Sequence, residues 1–228
     1  MKKIILFLSA LAILASCSDE TTSPEGTNLR LTSSMEQSVV TNESTSSFQA
    51  DVVDSLVVTE ARVLISAIKM HNRDKGESED EAIKTGPYVL HADSTGEVSV
   101  LFDTEVPEGS YDKIKFEIHK FPESERQQYI DDLVFGDFAT SDRNTILIDG
   151  YYYTGGEKKY FNFVSNQTEN LMLTLDEAVE INDVTVTELS LVFDAPGLFK
   201  EATILSPTED NQKKIEKQIH KFIVALKK

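Results

Sequence analysis

Val106-Pro107-Glu108-Gly109-Ser110-Tyr111-Asp112-Lys113-Ile114-Lys115-Phe116-Glu117-Ile118 is the stretch whose reading decides the class of fold. Pro107 fixes φ and Gly109 permits a left-handed turn, so the chain reverses direction just before an alternating run. In that run Ile114, Phe116 and Ile118 fall on one side, and Lys113, Lys115, Glu117 and His119 on the other. Side chains of a strand alternate between its two faces, so this is a strand with one face in a core and one in water, the pattern of an antiparallel sheet.

The same period recurs in both directions from there. Val98, Val100 and Phe102 alternate with Glu97, Ser99 and Leu101, and further strands are predicted over 55–70, 87–91, 145–148, 160–164, 171–175 and 184–193. Pro107-Glu108-Gly109, Asp149-Gly150 and Gly155-Gly156 supply turn signals between them. Eight or so short strands at this spacing predict a mainly β fold, an antiparallel β-sandwich. Two helices complete the expectation. One is short, over 122–133, in a crossing loop with Tyr129, Ile130 and Leu133. The other is a C-terminal amphipathic helix after Pro207, in which Ile215, Ile219, Phe222, Ile223 and Leu226 recur at three- and four-residue intervals among Lys213, Lys214, Lys217, Lys221 and Lys227. Packing on the core is its first reading, and contact with a membrane surface the second.

The other end of the chain carries an address. Met1-Lys2-Lys3 is a positive start, and the apolar run from Ile4 to Leu14 is too short to span a hydrocarbon core about 30 Å thick. It closes in Leu14-Ala15-Ser16-Cys17, which resembles the lipobox of bacterial lipoproteins, with cleavage before an obligatory cysteine that then carries lipid. Cys17 is the single cysteine in 228 residues, so it has no disulfide partner within the chain. More than one acyl chain at that residue suffices for stable anchoring. The organisation predicted is a signal peptide over 1–16, a lipidated cysteine and flexible Ser/Thr-rich tether over 17–50, and a β-sandwich domain over 51–228, with Leu29 and Leu31 as a candidate strand inside the tether. Ser18-Asp19-Glu20 resembles the surface-export signal of Bacteroidota lipoproteins and reads equally as the first polar residues of a tether. The expected location is the bacterial outer membrane, lipid-anchored, with exposure at the cell surface left open.

With 22 Lys and Arg against 39 Asp and Glu the net charge is −17, and loss of Lys2 and Lys3 with the leader makes the exported chain more negative still. Such a surface disfavours nucleic acid and anionic lipid as partners. No Gly-x-Ser-x-Gly, His-Glu-x-x-His, phosphate-binding Gly-rich loop or cysteine pair is present. His71, His91, His119 and His220 are scattered and read as surface residues rather than ligands or bases. Asp74, Glu77, Glu79, Asp80 and Glu81 crowd one loop around Gly76; their spacing departs from an EF-hand, so a solvated charge run is preferred to a calcium site. No metal or cofactor is therefore expected. The candidate ligand-binding residues are Tyr151 and Tyr153, which alternate along a strand and can stack on sugar rings while their hydroxyls stay wet; the competing reading is a hairpin whose tyrosines cover a sheet edge. Asp54-Ser55-Leu56 and Asp93-Ser94-Thr95 resemble short O-glycosylation acceptors.

In order along the chain, Ala61-Arg62-Val63-Leu64-Ile65-Ser66-Ala67-Ile68, the Val106 to Ile118 stretch, Thr145-Ile146-Leu147-Ile148-Asp149-Gly150 and Leu189-Ser190-Leu191-Val192-Phe193-Asp194 resemble an uncharacterised family of bacterial, Bacteroidota-like lipoproteins. The resemblance runs from about Val53 to the C-terminus and implies a transthyretin-like or carboxypeptidase-regulatory-like domain of unknown function. The chain departs from that pattern at Tyr151 to Tyr160 and in having no tryptophan. The expectation is thus a non-enzymatic binding or structural module of the envelope, with a glycan or protein as ligand. Carbohydrate binding by the tyrosine hairpin and a hydrolase using acidic residues are the alternatives.

Overall fold

The computed structural model describes residues 28–42, 53–73, 80–201 and 203–227. The described residues form β1 (Leu29–Gln37), β2 (Val39–Thr41), β3 (Val53–Asn72), β4 (Asp80–Asp93), β5 (Ser99–Thr104), β6 (Gly109–Ile118), β7 (Ile146–Thr154), β8 (Glu157–Ser165), β9 (Glu169–Ile181), β10 (Thr187–Asp194) and β11 (Ile223–Lys227). Three short helices join them: α1 (Glu123–Arg126), α2 (Ala195–Phe199) and α3 (Gln212–Glu216). A four-stranded sheet runs β11-β10-β1-β5, and a seven-stranded sheet runs β8-β7-β3-β6-β9 with β2 and β4 also paired to β3. The mainly β class is as the alternating runs predict.

β3 organises the larger sheet. Its many β-branched residues, Val53, Val57, Val58, Thr59, Val63, Ile65 and Ile68, favour extended backbone. On one flank its first half pairs with β7 and its second half with β6, while β2 and then β4 take the other flank. Leu56, Val58, Ala61, Val63, Ile65, Ile68 and Met70 point into a core shared with Leu29, Leu31 and Met35 of β1 and Leu189, Leu191 and Phe193 of β10. Ile114, Phe116 and Ile118 of β6 are buried there as their spacing predicts, each worth about 1.5–3 kcal/mol of burial.

Several expectations need correction. The candidate strand at Leu29 and Leu31 is present as β1, but β1 and β2 pair within the sheets, so residues 28–42 belong to the domain and not to a tether. β1 lies inside the smaller sheet, and its pairing with β10 is parallel, not antiparallel. Its Ser/Thr content imitates a linker, but Ser33 Oγ donates to the His91 carbonyl at 2.6 Å and Thr32 Oγ1 to the Leu189 carbonyl at 3.4 Å, which permits these hydroxyls to be buried. The C-terminal amphipathic helix is also replaced. Ile215, Ile219 and Phe222 are buried on α3 and the single 3-10 turn that follows, but from Ile223 the chain extends as β11 and satisfies the open edge of β10. The helix over 122–133 shrinks to α1 followed by turns.

Val98 and Val100 do not share the buried face of Phe102. A bulge sets Leu31 opposite Phe102 but Thr32 opposite Val100, leaving Val100 57% exposed. Asp149-Gly150 is no turn but the middle of β7. A Cβ at Gly150 would run into the Val57 carbonyl oxygen and lie 2.8 Å from the Phe161 ring, so glycine here lets the backbone and ring close up.

The outer face of the larger sheet is partly covered. The crossing segment between β6 and β7 folds back so that Phe121, Phe138 and Ala139 bury Leu64 of β3 and Leu147 of β7 in a second, smaller core. Phe121 stacks on Tyr129 at 4.5 Å between centroids, and Phe135 meets both rings edge-on. Arg62 Nη1 to Asp137 Oδ2, at 2.7 Å, closes its border. Beyond that border the outer face of β7 and β8 has no such cover from the crossing segment.

Candidate functional site

The uncovered part of that face carries the tyrosines. β7 and β8 are joined by Gly155-Gly156 with φ of 56° and 81°, positive at both positions as a two-residue hairpin turn of the primed kind requires. That turn fixes the register, placing Tyr151 opposite Tyr160 and Tyr153 opposite Lys158. Alternation then sends Tyr151, Tyr153, Lys158 and Tyr160 outward together, while Tyr152 and Phe161 turn inward and pack against the main core. The inward side is anchored by aromatic contacts of Phe161 and Phe163 with the buried Phe199 of α2, at 5.7 and 6.1 Å between centroids.

Outside, Tyr151 meets Tyr153 edge-on at 5.9 Å and Tyr160 at 6.1 Å, and Tyr160 is 77% exposed. Lys158 Nζ lies 3.6 Å from the centroid of Tyr151 and 4.8 Å from that of Tyr160. A side-chain hydrogen bond with Tyr160 raises the lysine's pKa above its ordinary value. Further along the same face, Asn162 donates to Asp149 Oδ1 at 2.8 Å, and His91 Nε2 lies 3.1 Å from Glu60 Oε1. The result is a strand-borne surface of three phenol rings and one cation. Such a surface can stack on the C–H faces of a sugar ring and bond its hydroxyls or a carboxylate.

Tyr151 and Tyr153 are brought together as their spacing predicts. Tyr160 and Lys158 escape a reading by composition, although the signal is there: a two-residue Gly-Gly turn at 155–156 dictates which residues face them across the hairpin.

The remaining candidates lie elsewhere. His71 Nδ1 is 2.9 Å from Asp112 Oδ1, a partly buried pair near the end of β3. His119 lines a cleft of about 240 Å³ with Ser66, Pro87, Lys120, Phe121 and Glu125, and His220 is exposed. A second cleft, of about 220 Å³, is lined by Asp142, Asn144, Asn166, Gln212 and Glu216. The Glu216 carboxylate there accepts from Ser165 Oγ at 3.0 Å and Gln212 Nε2 at 2.9 Å. In the acid-rich loop, Asp74, Glu77 and Glu79 lie outside the described residues, and Asp80 and Glu81 begin β4. Among the described residues no group of three His, Cys, Asp or Glu converges as a metal site would. Ser94 and Thr95 sit on the exposed β4–β5 turn, where the Asp93 carboxylate accepts from the Thr95 hydroxyl and backbone amide. Those bonds hold Asp93 below the usual carboxylate pKa, and Ser55 lies within β3 opposite Tyr153.

Residues 1–18 match a prokaryotic membrane lipoprotein lipid attachment site, with Cys17 inside the matched segment. No curated protein and no solved structure matches the chain. No described helix is long and apolar enough to cross a membrane. The β domain is therefore known by its own architecture, and the chain that carries it is a lipid-anchored bacterial lipoprotein.

Proposed function

We propose that this lipoprotein is a non-catalytic carbohydrate-binding module of the bacterial outer membrane, with Tyr151, Tyr153, Tyr160 and Lys158 as its contact surface. The observation that carries the reading is the clustering of three tyrosines on an outer strand face of the larger sheet, beyond the border of the second core. Rings on paired strands are presented without loop ordering, which lowers the entropic cost of binding. Sugar rings suit them because each phenol offers an apolar face and a hydroxyl that remains in water. Ser18-Asp19-Glu20 behind the lipidated cysteine supports display at the outer surface.

The test is binding of the detergent-solubilised lipoprotein to an array of bacterial and host polysaccharides, beside a variant carrying Tyr151→Ala, Tyr153→Ala and Tyr160→Ala. Selective binding by the parent that falls at least tenfold in the variant, with far-UV dichroism unchanged, is the expected result. A parent that binds no polysaccharide, or a variant that binds as the parent does, would refute the reading.

A further inference from the structure

We infer that the tyrosine surface is held at the pole of the domain remote from the membrane, so that the polymer it takes lies beyond the lipoprotein's own bilayer. The inference deepens the carbohydrate reading in naming an extended glycan away from the leaflet, but the placement rests on the anchor and the strand order alone.

The anchor enters at one end. Ten residues, 18–27, separate Cys17 from Asn28, and a chain of that length reaches no more than about 40 Å. Asn28 is pinned to the fold: its Nδ2 donates to the Val106 carbonyl, its Oδ1 accepts from the Val106 amide, both at 2.8 Å, and its carbonyl accepts from the Thr187 amide at 2.8 Å. Val106 leads directly into β6, whose first residue Gly109 pairs with Ile181 at the end of β9 and lies against the Asn72 side chain at the end of β3. The loop between β9 and β10 is at the same pole. Asn182 Oδ1 accepts from the Val184 and Thr185 amides, and Val184 is 84% exposed.

The tyrosines are at the other end. Ser55 and Val57, near the start of β3, pair with Tyr153 and Tyr151, and the hairpin turn lies beyond them. From Ser55 to Asn72 is almost the whole of the 20-residue strand, and the eleven residues from Asn28 to Val39, which pairs with Val57, bridge the same two poles over no more than about 40 Å. β1 runs in the opposite sense to β3, from Asn28 toward β2, which pairs with Val57 to Ser55. A single continuous strand thus separates the anchored pole from the tyrosine pole.

The test uses the full acylated lipoprotein in vesicles of phosphatidylethanolamine and phosphatidylglycerol containing a headgroup energy-transfer acceptor. One thiol-reactive donor is placed at Val184→Cys in one preparation and at Glu157→Cys, in the hairpin, in another. Because transfer to acceptors spread over the membrane surface falls steeply with the donor's height above it, efficiency at position 184 is expected to exceed that at position 157 several-fold. Equal transfer at the two positions, or greater transfer at 157, would overturn the placement. Loss of glycan binding has no effect on this readout, so failure of the carbohydrate reading and failure of the orientation are told apart.

Discussion

The hydroxyl of Tyr111 donates to the carbonyl oxygen of Pro107 at 2.7 Å, four residues back, while the Tyr111 side chain is fully buried at the start of β6. The bond locks the turn that leads from the Asn28 contact into the central sheet, so the Pro-Glu-Gly-Ser-Tyr element is closed by its last residue. Tyr111→Phe keeps the ring and leaves the carbonyl without this donor. A loss of about 1–2 kcal/mol in urea unfolding, with the slope unchanged, is expected.

Gly150 lies mid-strand beneath the Phe161 ring and against the Val57 carbonyl. Gly150→Ala should cost about 1–3 kcal/mol by overpacking. Gly155, whose φ is 56° and beside which there is open space, should accept asparagine with a change within about 0.5 kcal/mol, since asparagine tolerates that region. Thermal unfolding of the two variants side by side checks the contrast.

Glu117 accepts from Lys69 Nζ at 2.7 Å, and this bond holds its carboxyl below the usual glutamate range. A carboxylate whose pKa is depressed by folding contributes stability that is fully present above its unfolded pKa and is lost as pH falls through the folded value. The pair is partly exposed, so at pH 7 Glu117→Gln should cost only about 0.5–1 kcal/mol. The gap between parent and variant should close on acidification below the normal glutamate range, as followed by urea unfolding across pH.

Phe138 is fully buried in the second core, which pins the crossing segment to the sheet. Phe138→Ala should remove about 3–5 kcal/mol from the packing of that segment. Amides of residues 119–144 should then exchange faster while those of β3 keep their protection, because the main core does not include Phe138.

Cys17 stands in the lipid attachment site. Cys17→Ser removes the acylated sulfur, so incorporation of labelled palmitate into the protein should be lost while the β domain stays folded by dichroism.

What the sequence discloses depends on how strictly each segment obeys one period. Ile114, Phe116 and Ile118 alternate without interruption and are legible, as is the placing of Tyr151 with Tyr153 on one face. β1 is only half legible: Leu29 and Leu31 mark its start, but its buried serines and threonines with backbone acceptors have the composition of a linker, and their partners His91 and Leu189 are distant in sequence. The end of the chain misleads for a different reason. Ile215, Ile219 and Phe222 keep helical spacing, but whether Ile223 continues it depends on the open edge of β10, a tertiary fact. Val100 is displaced by a bulge, which shifts a face without leaving a mark in composition. Tyr160 and Lys158 are within reach, since a hairpin with a two-residue turn specifies its own cross-strand partners.

The place of β1 between β5 and β10 has a mechanical meaning. Tension applied between the Gly155-Gly156 hairpin and the lipid would enter the domain at Asn28 and run along the axis of β1. Hydrogen bonds on both flanks of that strand lie across the line of pull and must slide together; they cannot break singly in succession, as those of a peeled edge strand do. The segment next to the lipid is therefore loaded in shear, the geometry in which a sheet holds best.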